Sequence, residues 1–189
     1  MTDSSVSEQS GFVHPEKGAT LIEFALVLPI LILILVGIME IGLAFGEQMR
    51  ASQATREGAR IGAVAGNDPD ADCFIIRDVV AVMSQPQLDR LVNLQIYETD
   101  PVTGNQNFAQ TNTYTYTGGD PTDCVNSWSG VVAWPSTTRQ VTTGPTAVLD
   151  LLGVRVQMDR SWVTGFPPFS GSYTIDTTTI SRIEPEAFE

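Results

Sequence analysis

Histidine and lysine each occur once in this chain, as His14 and Lys17, ahead of its first apolar run. Residues 18–189 therefore cannot assemble a Ser-His-Asp triad, a Cys-His pair, a His-ligated metal or a Schiff-base lysine. Three acids alternate as Asp68, Asp70 and Asp72, which is how a calcium loop begins. Such a loop needs glycine at its sixth position and a bidentate glutamate at its twelfth. Cys73 and Val79 stand there, so the triplet reads as a solvated acidic turn. Cys73 and Cys124 are the only cysteines. In an oxidising compartment they could close a disulfide loop and constrain the unfolded chain by about 4 kcal/mol; the alternative is a pair of buried thiols. No phosphate cradle, nucleophile elbow or paired-acid signature is found. The expectation is a protein without catalytic, metal or cofactor site, and not an enzyme.

The elements that carry these residues follow from composition. The 189 residues suffice for one ordinary domain, or a small domain with an appendage. Net charge is -12, distributed as -2 over residues 1–18, -1 over 19–66 and -9 over 67–189. No segment is basic, which speaks against nucleic acid as a partner. The mean hydropathy of +0.05 averages two unlike parts. From Phe24 to Met39 the sequence carries no charge, and after Glu40 the apolar run continues to Gly46. Counted from Ala19, it would span about 42 Å as a helix, against a hydrocarbon core of about 30 Å. The run reads as a transmembrane helix. A secretory signal cleaved near Gly46 is the alternative, and the acidic, polar first 16 residues disfavour it.

Helical character persists past Gly46 through EQMRASQATREGARIGAVAG, so one helix is expected over residues 19–66. Small residues recur at four-residue spacing in Gly42/Gly46, Gly58/Gly62/Gly66 and Ala59/Ala63. Either they let another helix approach closely or they mark a fraying end. Arg50, Arg56 and Arg60 with Glu47 and Glu57 form a polar face. Within the apolar run, Pro29 should kink the helix. An acid at bilayer depth costs about 3 kcal/mol, so Glu23 and Glu40 need partners or positions near opposite interfaces.

From residue 67 the composition turns to Thr, Asp and short apolar runs. CFIIRDVVAVMS fits a short amphipathic helix. LVNLQIYE, TNTYTYTGG, VVAW, VRVQMDRSWV and SYTIDTTTIS read as strands. The expected fold class is α+β: a long N-terminal transmembrane helix continuing outside the membrane, followed by a small antiparallel-sheet domain over 67–189.

The stretch Lys17-Gly18-Ala19-Thr20-Leu21-Ile22-Glu23-Phe24 resembles the cleavage region of type IV prepilins, and FALVLP with ATREGARIGAVAG resembles the TadE-like proteins of tight-adherence (Flp) pilus systems. A weaker likeness covers the closing strand, YTIDTTTISRIEP, with Arg182, Glu184 and Pro185. The resemblance implies a 1–18 cytoplasmic leader removed by prepilin peptidase between Gly18 and Ala19. It also implies that Glu23 takes part in assembly with a neighbouring subunit's N-terminal amine. Major Flp pilins are short and carry tyrosine after this glutamate. Phe24 and the long domain here imply a minor pseudopilin, whose partners are the membrane and other pilin or pseudopilin subunits. The count of basic residues, Lys17 before the run and three arginines after it, would place the N-terminus outside. The resemblance places it in the cytoplasm, with a single pass through the inner membrane, and is preferred because a large domain follows the helix. The competing class is a single-pass membrane protein with an extracytoplasmic ligand-binding domain.

Overall fold

The computed structural model describes residues 16–142, 148–165, 167 and 169–184. His14, most of the expected leader, Pro168 and Pro185 lie outside the described residues. Its elements are α1 (Glu16–Ala65), α2 (Ala71–Val82), α3 (Gln85–Leu88), β1 (Leu91–Thr99), β2 (Gln106–Tyr116), β3 (Trp128–Val131), β4 (Leu151–Ser161) and β5 (Ser172–Arg182), with one 3-10 turn at Ser136–Thr138. The class is α+β, as the sequence predicts.

The chain divides into two compact units, residues 1–39 and 40–189, and the division falls inside α1. In the first, the described part is helical and most of its large side chains are exposed, Leu21 and Leu26 each at 69%. α1 is the one helix among the described residues long and apolar enough to cross a membrane.

In the second unit the strands form one antiparallel sheet in the order β3-β2-β1-β4-β5. Alternate residues of β4 (Leu152, Val154, Val156, Met158) are buried together with Leu94 and Ile96 of β1. This period-two pattern gives the sheet one apolar face. Residues 51–63 of α1 and Ile75, Ile76, Val79 and Val80 of α2 belong to the same core. Each large aliphatic side chain buried there contributes about 1.5–3 kcal/mol. α1 ends where Gly66 adopts a positive φ of 54° and returns its N–H to the Gly62 carbonyl at 3.1 Å. That left-handed cap is cheap only for glycine. α2 starts after a turn in which Asp68 Oδ1 accepts the Asp70 N–H at 2.7 Å.

Two local expectations shift. The strand expected over VVAW forms instead at Trp128–Val131, paired with Thr113–Tyr116 of β2. The chain leaves the ladder there because Trp134 bonds a side chain: its N–H donates to Asn112 Oδ1 at 2.6 Å and its carbonyl accepts from Asn112 Nδ2 at 2.7 Å. The four-residue helix α3 carries no apolar periodicity in its sequence QPQL; its entry is fixed by the Ser84 N–H donating to Gln87 Oε1 at 3.0 Å.

Candidate functional site

In the first unit, the residues expected to be processed and to assemble lie on an uninterrupted helix. A side chain at Gly18 would meet nothing within 4 Å. Glu23 is exposed and has no hydrogen-bond or ion-pair partner among the described residues. Ala19 and Glu23 are four residues apart, so they share a helix face about one turn apart, and a helical side chain leans toward the N-terminus. Phe24, Val27, Ile30, Leu31 and Ile34 extend the exposed apolar surface around the helix. Pro29 lies inside α1, which continues through it.

The second unit treats its share of α1 differently. Glu40 is fully buried, and its Oε1 accepts the Thr164 N–H at 2.5 Å, so it caps the segment after β4. Here the reading of Glu40 as a residue near a membrane interface differs from what the fold provides, an internal backbone donor. Glu47 is turned inward as well: its Oε1 lies 2.7 Å from Arg160 Nη1 and 3.0 Å from Arg90 Nη2. Arg160 is buried while Glu47 and Arg90 are partly exposed, so the two pairs join α1 to β4 and to the residue before β1 at the rim of the core.

The small residues separate into two groups. At Gly58 an added Cβ would lie 2.6 Å from Val79 Cγ2 of α2 and 3.3 Å from Val154 Cγ1 of β4. At Gly62 it would lie 2.8 Å from Ile75 Cδ1 and 3.0 Å from Leu152 Cδ2. These two glycines admit α2 and β4 of the same chain. At Gly42 and Gly46 nothing lies within 4 Å.

Asp72, read from the sequence as part of an acidic turn, is the hub of a polar cluster. Its Oδ2 accepts from Tyr114 Oη at 2.5 Å and from Asn112 Nδ2 at 2.7 Å, and its Oδ1 pairs with the Arg139 guanidinium. Arg139 stacks on the Trp134 ring, 4.6 Å from its centroid. Burial, then the Asp72 charge and hydrogen bond, hold the Tyr114 phenol well above its ordinary range. With the Asp72 carboxylate and the Tyr114 hydroxyl engaged, and Arg139 Nε and Nη1 buried without a hydrogen-bond partner, the cluster braces the β2–β3 side of the fold. Asp72 is 40, 42 and 67 positions from these partners, and no local spacing in the sequence announces them.

Cys73 on α2 and Cys124 between β2 and β3 have Sγ atoms 2.07 Å apart and Cα atoms 5.6 Å apart, across a sequence separation of 51. Among the described residues no three His, Cys, Asp or Glu side chains converge where they could hold a metal ion.

One family model, described as TadE-like protein, matches this chain, beginning at Gly18 and ending at Arg60. Over residues 18–60 the chain is similar to that family. The TadE-like segment thus spans the exposed apolar helix of the first unit and the part of α1 that enters the core of the second. It is consistent with a pilus protein of the tight-adherence system and, with the one apolar helix, with membrane association. No curated protein and no solved structure gives a significant match.

Proposed function

We propose that the protein is a minor pseudopilin of a tight-adherence pilus, anchored by one transmembrane helix and acting in pilus assembly or initiation by packing rather than by chemistry. The observation that carries this reading is the coincidence of the TadE-like match, starting at Gly18, with a helix whose apolar side chains face outward. A prepilin peptidase acts on the cytoplasmic side, removes residues 1–18 and leaves Ala19 with a free amine. The domain that follows the helix is exported from the inner membrane, where an oxidising environment maintains the Cys73–Cys124 bond. Its partners are other pilin or pseudopilin subunits.

The new N-terminus changes the electrostatics of Glu23. After cleavage it is the fifth residue of the chain, within the first turns of a helix whose positive end favours an acid. A neighbouring subunit's amine then offsets the cost of holding a carboxylate at bilayer depth. Intact-mass measurement and N-terminal sequencing of membrane-extracted protein test the first step. A chain starting at Ala19 is expected; a start at Met1 or after Gly46 removes the pseudopilin reading and leaves a simple membrane-anchored binding domain or an exported one. For the second step, Glu23→Val is expected to insert normally and to abolish or strongly reduce piliation. Normal pili in that variant would remove the assembly role of Glu23.

A further inference from the structure

The two edges of the sheet are built differently. β3 has four residues and pairs only with Thr113–Tyr116, and beyond it the Trp134 backbone is tied to Asn112. β5 has eleven residues and pairs with β4 in unbroken register from Ser161↔Ser172 to Leu151↔Arg182. Its sequence, SYTIDTTTISR, holds no proline and no lysine, and the register shows no bulge. Sheets that remain single usually blunt such an edge with one of these devices.

Backbone direction on β5 can be assigned residue by residue. The Ile183 N–H donates to the Asp150 carbonyl at 3.1 Å, and the Trp162 N–H donates to the Gly171 carbonyl at 3.4 Å. Both bonds lie on the β4–β5 register line, and an antiparallel ladder alternates between residues that bond their neighbour and residues that do not. The odd-numbered residues from Tyr173 to Ser181 therefore bond β4. Ser172, Thr174, Asp176, Thr178, Ile180 and Arg182 turn their N–H and C=O groups outward, and no partner for these groups occurs among the described residues. All six residues are exposed.

We propose that this edge receives an extended strand of another polypeptide, antiparallel to β5, rich in hydroxyl and β-branched residues and carrying an acid level with Arg182. The threonine-rich edge favours β-branched and hydroxyl neighbours across the new ladder. Asp176 is engaged by Arg155 and Gln157 of β4 and asks for no cation. Arg182 has no ion-pair partner among the described residues and is the free charge of the row. A second copy of this chain fits less well. Full antiparallel overlap of two β5 strands sets Ser172 opposite Arg182, and moving Asp176 opposite Arg182 shortens the overlap to residues 176–182. Backbone bonds supply the affinity and the side-chain row the selectivity, as in other strand additions. The inference stands on the sheet alone, so failure of the N-terminal processing test would leave it intact.

The test uses the full-length chain in detergent micelles and, as probe, a fluorescent eleven-residue peptide alternating valine and threonine with glutamate at its N-terminal end. Saturable binding by anisotropy is expected, with at least about tenfold weaker binding when lysine replaces that glutamate. Thr178→Pro removes one outward N–H and leaves the β4 ladder whole, so it should keep the wild-type melting temperature and bind at least about tenfold more weakly. Thr178→Ala keeps that N–H and should bind within about threefold of wild type. Hydrogen exchange on the wild-type chain gives a second readout: the amides of Thr174, Thr178 and Ile180 exchange fast without peptide and slowly with it, while those of Ile175, Thr177 and Thr179 are slow in both. Absence of saturable binding, equal binding by Thr178→Pro, or slow outward amides in the free chain overturns the proposal. Self-association without peptide that Thr178→Pro abolishes overturns it in favour of a second copy.

Discussion

Along residues 18–39 of α1 most of the large side chains are exposed, and no ion pair is described there. Along residues 40–65 the same helix buries Glu40, Ala51, Ala54, Thr55, Ala59 and Ala63, turns Glu47 toward two arginines and presses Gly58 and Gly62 against α2 and β4. Composition sets the difference. The first stretch is apolar all round, so its free energy depends on its solvent and tolerates exchange of one aliphatic residue for another. The second, from Glu47 on, sets small residues on one face and mostly polar ones on the other, so its free energy depends on particular neighbours at particular distances. A glutamate in the first stretch is a cost awaiting a partner; in the second it is already a structural acceptor.

The sharpest way to break this contrast is to add the same side chain in both stretches. Gly58→Leu places carbon where Val79 Cγ2 would be 2.6 Å from the first added atom, and should cost about 3 kcal/mol or more through overpacking. Gly18→Leu, in the first stretch, meets nothing within 4 Å and should leave the stability of the second unit within about 0.5 kcal/mol of wild type. Urea denaturation followed by tryptophan fluorescence of the detergent-solubilised chain reads both. Equal effects would mean that the two parts of the helix do not differ as described.

The paired glutamates give a smaller effect. Glu40→Ala strands the Thr164 N–H and should destabilise the second unit by about 1–3 kcal/mol. Glu23→Ala should leave its midpoint unchanged. The smallest effect calibrates what an exposed charge pair contributes beside these buried ones. The hydrogen bond from Arg155, with help from Gln157, holds the Asp176 carboxyl below its usual range. Because the folded value is depressed, the associated stability is complete above the unfolded value of about 4 and is lost as pH falls through it toward the folded value. Partial exposure limits this to a few tenths of a kcal/mol. Between about pH 5 and pH 3, Asp176→Asn should therefore show a slightly flatter loss of stability than wild type. An identical pH slope in the variant would assign Asp176 no such contribution.

Much of the architecture is legible in the sequence because it rests on local periodicity. The helix expected over 19–66 is α1 to within a few residues, and the runs at LVNLQIYE, VRVQMDRSWV and SYTIDTTTIS become β1, β4 and β5. What the sequence does not disclose depends on partners far along the chain. Gly58 and Gly62 announce a close approach, but nothing local says that the approaching atoms belong to Val79, Ile75, Val154 and Leu152. Glu47 sits in a charged stretch that reads as surface, and only the return of β4 brings Arg160 to it. The strand at VVAW is displaced because a single asparagine on β2 captures the Trp134 backbone, an interaction that strand propensity cannot anticipate. Among the expected site residues, Gly18 and Glu23 were marked by motif resemblance, whereas the inward roles of Glu40 and Asp72 needed the fold.

The Glu184 N–H donates to the Ala63 carbonyl at 2.9 Å, and Ile183 and Leu152 lie in the core that residues 51–63 of α1 enter. α1 is thus completed by residues that follow β5. At about 5–20 residues per second, roughly 120 further residues take about 6–24 s to synthesise. During that interval the inner face of α1 waits without β4 or β5. Alanine and glycine at positions 51, 54, 58, 59, 62 and 63 keep the apolar area exposed in that interval small, so the residues that later permit close packing also make the nascent helix less adhesive while it waits.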